Sequence, residues 1–282
     1  MFQFLLYKIG IFLANALPRK ASGYISIRIA DVYSFFSKED FESVRNNLQV
    51  ILSLDKKELD CYAREVFRNF ALYILEFLRV RSLDEKFIKQ NVRMAGLEYF
   101  QDELKRNSGI IGLTAHIGNW ELLGIVMSRL GFRLNSVALT HNNRLVNKIF
   151  VGQRQSAGSN VLGLGNIRGC ISALKRNEIL ALVGDKDFSN NSVTVKFFGR
   201  DAEFPRGPAM LSLRTGARIL PGFLLREKDG FNMILHGPVQ FEKKGIFEED
   251  VVELTRSYVL AIENIVRQYP TQWIMFRKFY KD

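Results

Sequence analysis

The distribution of apolar positions divides the chain into an all-helical first third and an alternating remainder. From Ala63 onward, apolar residues recur at Val66, Phe67, Phe70, Ala71, Ile74, Leu75 and Leu78, the 3.6-residue stripe of an amphipathic helix. Leu72 and Phe77 lie off that stripe, which predicts a helix covered on two sides. Beyond Val92 the pattern changes to short apolar runs separated by helical stretches. Strands are predicted near 109–114, 134–139, 179–184, 193–198, 218–225 and 232–236, and helices near 119–130, 143–156, 167–176, 207–216 and 249–268. This alternation predicts an α/β fold, a mixed and mostly parallel sheet flanked by helices. Functional groups in such sheets gather at the carboxyl ends of strands.

The first segment reads differently. Met1 to Leu17 carries one charge, Lys8, and as a helix would be about 24 Å long, short of a hydrocarbon core of roughly 30 Å. Pro18-Arg19-Lys20 follows as a basic stop, and Tyr24 to Phe36 is again apolar with scattered polar residues. Residues 1–40 are therefore expected to form apolar, membrane-associating helices, with the α/β domain occupying 41–282. Two rival readings exist. Ala14-Asn15-Ala16 has the small-residue form of a signal-peptide cleavage site, although no basic segment precedes it and Lys8 interrupts the apolar core. An ordinary buried helix is the other.

Candidate chemistry sits just beyond the 109–114 strand, in Thr114-Ala115-His116-Ile117-Gly118-Asn119-Trp120-Glu121. Residues five apart on one helix diverge by about 140° and cannot meet. His116 must then precede the helix, with Glu121 in its first turn. There Glu121 is expected to accept the proton of one imidazole nitrogen, fixing the tautomer and leaving the other nitrogen as a general base. A base held this way deprotonates a substrate hydroxyl as it attacks an acyl thioester, and no enzyme nucleophile is required. The spacing alone is weak evidence. Asp185 follows another buried strand, where a carboxylate is placed to orient substrate or Arg154. Other motifs fail. The run Gly163 to Gly169 has one residue too many for a dinucleotide loop, and there is no G-x-S-x-G or H-E-x-x-H. His141 and His236 have no evident ligand partners, so no metal site is expected.

In full, His116-Ile117-Gly118-Asn119-Trp120-Glu121 resembles the acyltransferase box of the lipid A late acyltransferase family, membrane enzymes within the lysophospholipid acyltransferase superfamily. The likeness runs in order from about Leu5 to the C-terminus. It passes through Arg154, Gly184-Asp185-Lys186-Asp187, Val195 to Gly199, Gly207 to Leu211, Arg214 to Ala217 and Tyr269-Pro270-Thr271-Gln272-Trp273. The resemblance implies a fold like that of glycerol-phosphate acyltransferase. It also implies transfer of a fatty acyl group from acyl carrier protein or acyl-CoA, as co-substrate, to a hydroxyl or amine of a lipid acceptor, with no resident cofactor. His116 and Glu121 would then be catalytic, and Asn119, Asp185 and Arg154 would contact substrate, Arg154 as partner of Asp185 or of a phosphate. Phe204-Pro205-Arg206-Gly207 resembles the superfamily's F-P-E-G block with Arg206 replacing the acid; there it would clamp phosphate at a helix N-terminus. The family commonly has Asp-Gln where this chain has Asp185-Lys186, and His-Arg where it has Phe276-Arg277, departures that bear on the acceptor.

Composition narrows the partners. A net charge of +11, from 40 basic against 29 acidic residues, suits an anionic membrane surface, acyl carrier protein or nucleic acid. The absence of a zinc-finger spacing, an RNA-binding signature or a dense basic run sets nucleic acid aside. Cys61 and Cys170 form neither a metal signature nor a disulfide framework, which favours a reducing, cytoplasm-facing location; the resemblance implies the cytoplasmic face of the inner membrane. Two other functions share these features, a non-catalytic lipid-binding or transfer protein and a hydrolase that admits water to the same site. An intact Glu121 speaks against the first; turnover must decide the second.

Overall fold

The computed structural model describes residues 2–188 and 191–280 of the chain, so Met1 of the expected N-terminal segment and residues 281–282 of the expected α/β domain lie outside it. Four helices come first, α1 (Phe2–Ala16), α2 (Arg19–Phe36), α3 (Lys38–Ile51) and α4 (Lys56–Leu78). Pro18 ends α1 and opens α2, because its ring lacks the N–H that a continuous helix needs. The start of α4 is fixed by a capping box in which Asp55 accepts from the Glu58 amide and the Glu58 carboxylate accepts from the Asp55 amide. As its sequence predicts, α4 is covered on two sides. Val66 and Phe67 pack under α2 and α3, whereas Phe77, off the main stripe, is buried against the sheet layer.

The remaining elements alternate: α5 (Glu85–Asn91), β1 (Val92–Ala95), α6 (Leu97–Leu104), β2 (Ile110–Thr114), α7 (Trp120–Arg129), β3 (Leu134–Ala138), α8 (Arg144–Ser156), β4 (Asn160–Gly163), α9 (Ile167–Lys175) and β5 (Ile179–Val183). Then follow β6 (Ser192–Phe197), β7 (Arg200–Pro205), α10 (Gly207–Thr215), β8 (Arg218–Glu227), β9 (Gly230–Leu235) and α11 (Phe247–Gln268). Seven strands form a sheet in the order β1-β9-β8-β2-β5-β3-β4. Neighbours are parallel except for the β8–β9 hairpin, so the mixed, mostly parallel sheet expected from the alternation is present. One face packs on α9, α10 and α11 through Ile111 and Leu113; the other packs on α6, α7 and α8 through Ile110.

Two differences from the sequence reading have physical reasons. The 193–198 run is not in this sheet but pairs with β7 as a separate antiparallel hairpin, consistent with its alternation of buried Val193, Val195 and Phe197 with exposed Thr194 and Lys196. Strands β1 and β4 close the two edges of the sheet, where short segments with polar residues suffice and no long apolar run marks them.

After α11 the chain returns to the middle of the molecule. Trp273 forms a bridge with Ile117, and the Ile274 amide donates to the His116 carbonyl at 2.7 Å. Asn47 of α3 holds the following stretch by donating to the Met275 and Arg277 carbonyls and accepting from the Phe279 amide. Among the described residues, no helix is long and apolar enough to cross a membrane. On α1 and α2, however, Leu5, Ile9, Phe12, Ile29, Val32, Phe35 and Phe36 are exposed. The opposite side of α1 is docked, with Tyr7 edge-on to Phe150 of α8 and the Arg79 side chain donating to the Ala14 and Leu17 carbonyls.

Candidate active site

The loop from β2 to α7 carries His116, and its path depends on one glycine. Gly118 has φ +61, and a Cβ there would stand 2.1 Å from the Leu224 carbonyl oxygen, so a side chain is excluded both by conformation and by the backbone of β8. Asn119 ends the loop, 1% exposed. Its Oδ1 accepts from the Leu122 amide at 2.9 Å and caps α7, while its Nδ2 donates to Glu76 at 2.6 Å. Glu76 in turn receives two hydrogen bonds from Arg226, at 2.5 and 2.7 Å. The polar atoms of Asn119 are spent on the cap and on tying the loop to α4, and the residue does not border the cavity described below.

The carboxylate that meets His116 is Asp185, not Glu121. His116 Nδ1 and Asp185 Oδ1 are 2.7 Å apart, and the His116 amide donates to Asp185 Oδ2 at 3.0 Å. A third donor is the Trp273 indole, whose Nε1–H reaches the same oxygen at 3.0 Å. With Nδ1 engaged, Nε2 is the ring nitrogen available as a base. Asp185 has no exposure at all. Burial alone would raise its carboxyl, but the facing imidazole charge and the hydrogen bonds from His116 and Trp273 outweigh that and hold it below the usual carboxylate range.

Glu121 occupies the first turn of α7, as its spacing predicts, but turns towards α8. Arg154 grips it in a two-point pair, Nε to Oε2 at 2.9 Å and Nη2 to Oε1 at 2.5 Å, with both side chains nearly buried. The Glu121–His116 contact is thus replaced by Glu121–Arg154, and the Asp185–Arg154 partnership by Asp185–His116. Burial lowers the Arg154 value, and the Glu121 carboxylate more than restores it, leaving the guanidinium above its ordinary range. Trp120 lies edge-on to His116 at 4.9 Å and is stacked on Tyr73 at 4.1 Å.

His116, Trp120, Glu121 and Arg154 border a largely apolar cavity of 560 Å³ at the carboxyl ends of the central strands. One part of its wall is the α7 face of the sheet, with Gly112, Leu123, Gly124, Leu134 and Gly222. A Cβ on Gly112 or Gly124 would approach a neighbouring side chain to 3.2 Å, and one on Gly222 would come within 2.8 Å of Leu235, so a side chain at any of these wall positions would crowd its neighbours. The other part lies between α9 and α10, with Cys170, Ile171, Met210 and Leu211. Arg206, also on the wall, sits at the start of α10 and pairs with Glu248. Lys186 follows Asp185 directly. Burial lowers its ammonium, the Asp185 charge opposes this and Arg277 adds to it, the net result lying below the usual lysine range.

Of the residues that the sequence singles out, His116, Glu121, Arg154 and Arg206 border one cavity and Asp185 meets His116 beside it, whereas the Trp273–Asp185 contact, the close approach of Gly118 to β8 and the Glu76–Arg226 pair are not read from it. The Tyr269 to Trp273 segment stood out as a motif, but nothing local revealed that its indole touches Asp185. The chain matches the bacterial lipid A biosynthesis acyltransferase family over residues 1–282. It is 25% identical over 242 residues to the phosphatidylinositol mannoside acyltransferase of Mycolicibacterium smegmatis, covering 84% of this chain and 78% of the relative. The lipid A biosynthesis palmitoleoyltransferase of Escherichia coli K12 is 22% identical over 270 residues, covering 94% and 86%.

Proposed function

Because the chain belongs to the bacterial lipid A biosynthesis acyltransferase family, we propose that it moves a fatty acyl group from an acyl thioester, acyl carrier protein or acyl-CoA, to a hydroxyl or amine of a lipid acceptor, with His116 as general base. The observation that carries this mechanism is the line Trp273–Asp185–His116 ending at the apolar cavity. The acyl chain lies along the glycine-lined face of the sheet. His116 Nε2 takes the acceptor proton as the acceptor oxygen or nitrogen bonds to the thioester carbonyl carbon. The tetrahedral adduct then expels the thiolate, which receives that proton from the imidazolium, giving the acylated lipid and a free thiol. Asp185, kept ionised, fixes the tautomer and steadies the imidazolium between the two transfers. Glu121 acts through Arg154, whose position on the cavity wall it sets; Arg154 and Arg206 border the space for the acceptor's polar part.

The exposed apolar sides of α1 and α2, with Arg19, Lys20 and Arg28 nearby, support attachment to one leaflet of an anionic membrane at its cytoplasmic face, without a span. The decisive experiment is acyl transfer by the purified chain to a lipid acceptor, monitored together with release of free fatty acid. His116→Ala should remove transfer while the protein stays folded. Near-normal transfer by that variant would sink the mechanism, and free acid as the main product of the unaltered chain would favour hydrolysis instead.

A further inference from the structure

The cavity wall carries cations that proton transfer at His116 does not use, Lys186, Arg206 and Arg214. Asn191 brings the first two segments together: its amide donates to Asp187, next to Lys186, at 3.0 Å, and its carbonyl accepts from the Arg206 amide at 3.5 Å. Among the described residues, Lys186 has no hydrogen-bond or ion-pair partner although it is withdrawn from full exposure. Arg206 is only half committed. An outer nitrogen pairs with Glu248, whereas its Nε is buried and unpartnered. Unpaired donors and a partly desolvated ammonium cost free energy that an incoming oxyanion returns. An apolar acyl chain would gain nothing from such groups, so this corner is built for a charged part of a substrate.

We propose that Lys186 and Arg206 form a subsite for a phosphate ester carried by one of the two substrates, with Arg214 at its outer edge. A phosphate has several acceptor oxygens. It can meet an ammonium, which acts as a compact point charge, and the side of a guanidinium at once. Lys186 adjoins Asp185 in sequence, so an anion held there lies next to the catalytic pair and fixes how far the acceptor or thioester enters. The subsite rests on the acyl-transfer reading only for the identity of the substrates. The phosphate belongs either to the acceptor's head group or to the pantetheine-linked donor.

The test uses the full chain in neutral detergent and the variants Lys186→Gln and Arg206→Gln; glutamine is what the family commonly has at the first position. Titration with inorganic phosphate, followed by calorimetry, should show saturable binding that each variant weakens by about tenfold or more, the size of one charge-assisted hydrogen bond. Equal binding by all three proteins, or none by any, overturns the proposal. Two kinetic arms locate the group. In the first, a lipid acceptor with and without its phosphate is compared at fixed donor; in the second, acyl-CoA is compared with acyl-pantetheine at fixed acceptor. Lys186→Gln should raise KM for the phosphorylated partner at least tenfold more than for its unphosphorylated counterpart in one arm. An equal loss in every arm overturns the subsite. Phosphate binding by a chain that transfers no acyl group would instead count against the proposed reaction alone.

Discussion

Removal of the Asp185 carboxylate should cost turnover, and removal of the Glu121 carboxylate should cost mainly stability. In Asp185→Asn the remaining acceptor oxygen is held at the Oδ2 position by the His116 amide and the Trp273 indole, so an amide N–H faces Nδ1 and the wrong imidazole tautomer is favoured; kcat should fall by about 10²- to 10⁴-fold, in the range of general-base and tautomer effects. Glu121→Gln breaks a nearly buried ion pair and strands Arg154, for an expected loss of about 3 kcal/mol in denaturant unfolding. If Glu121→Gln unfolds like the unaltered chain, the pair with Arg154 has little structural weight. The Asp185 pair also predicts a pH dependence. Its carboxyl is held below the ordinary 3.8, so the stability it adds is present above that pH and is lost as pH falls through its lowered folded value. Asp185→Asn should therefore flatten the acid side of the unfolding curve. These roles were only partly legible in the chain. His116 and its neighbouring acid announce themselves by spacing, but the acid that meets the ring lies 69 positions away, and local pattern has no means of choosing it.

At the scale of elements, legibility followed burial. The central strands β2, β5 and β8 read clearly because burial on both faces makes them continuous apolar runs, and the helices that follow β2, β3 and β4 end within a residue or two of their predicted limits. The edge strands lack that signal, and in β7 the charges Arg200, Asp201 and Glu203 obscure it. Two elements carry predictions of their own. Since α1 is docked through Tyr7 and Arg79, deleting it would uncover Phe150 on the cavity wall; substitution of its outer face is the cleaner probe. Leu5→Ser, Ile9→Ser and Phe12→Ser together should release the protein from anionic vesicles in flotation, more completely at high salt, with circular dichroism unchanged. Continued flotation at high salt would place the attachment elsewhere. Helix α7 holds Gly124 against the acyl passage. Gly124→Val should shift the preferred donor towards shorter chains in competition assays, and an unchanged preference would mean that the chain runs by another route.

For the molecule as a whole, alternation of runs was enough to derive a helix-flanked, mostly parallel sheet, because that layering is the way such runs bury both faces. The return of residues 270–280 across the site was not, since a segment that crosses the centre by hydrogen-bonding to a loop carries no periodicity. No group of three or more His, Cys, Asp or Glu among the described residues is arranged to hold a metal ion. Full activity should accordingly survive chelation by EDTA, with oxyanion stabilisation left to amides and basic side chains; restoration of a lost activity by added zinc or magnesium would contradict this.

The brace formed by Trp273 and Ile274 also has a consequence for biosynthesis. His116 and Asp185 leave the ribosome well before the indole that completes their arrangement, so a nascent chain can form much of its sheet and still hold an unfinished base. Reactivity towards thioesters would then begin only once the segment through Ile274 has emerged from the ribosomal exit tunnel. Tethered chains arrested through C-terminal linkers long enough, or too short, to bring Ile274 out of the tunnel should differ sharply in transfer even where protease resistance of the sheet is already the same.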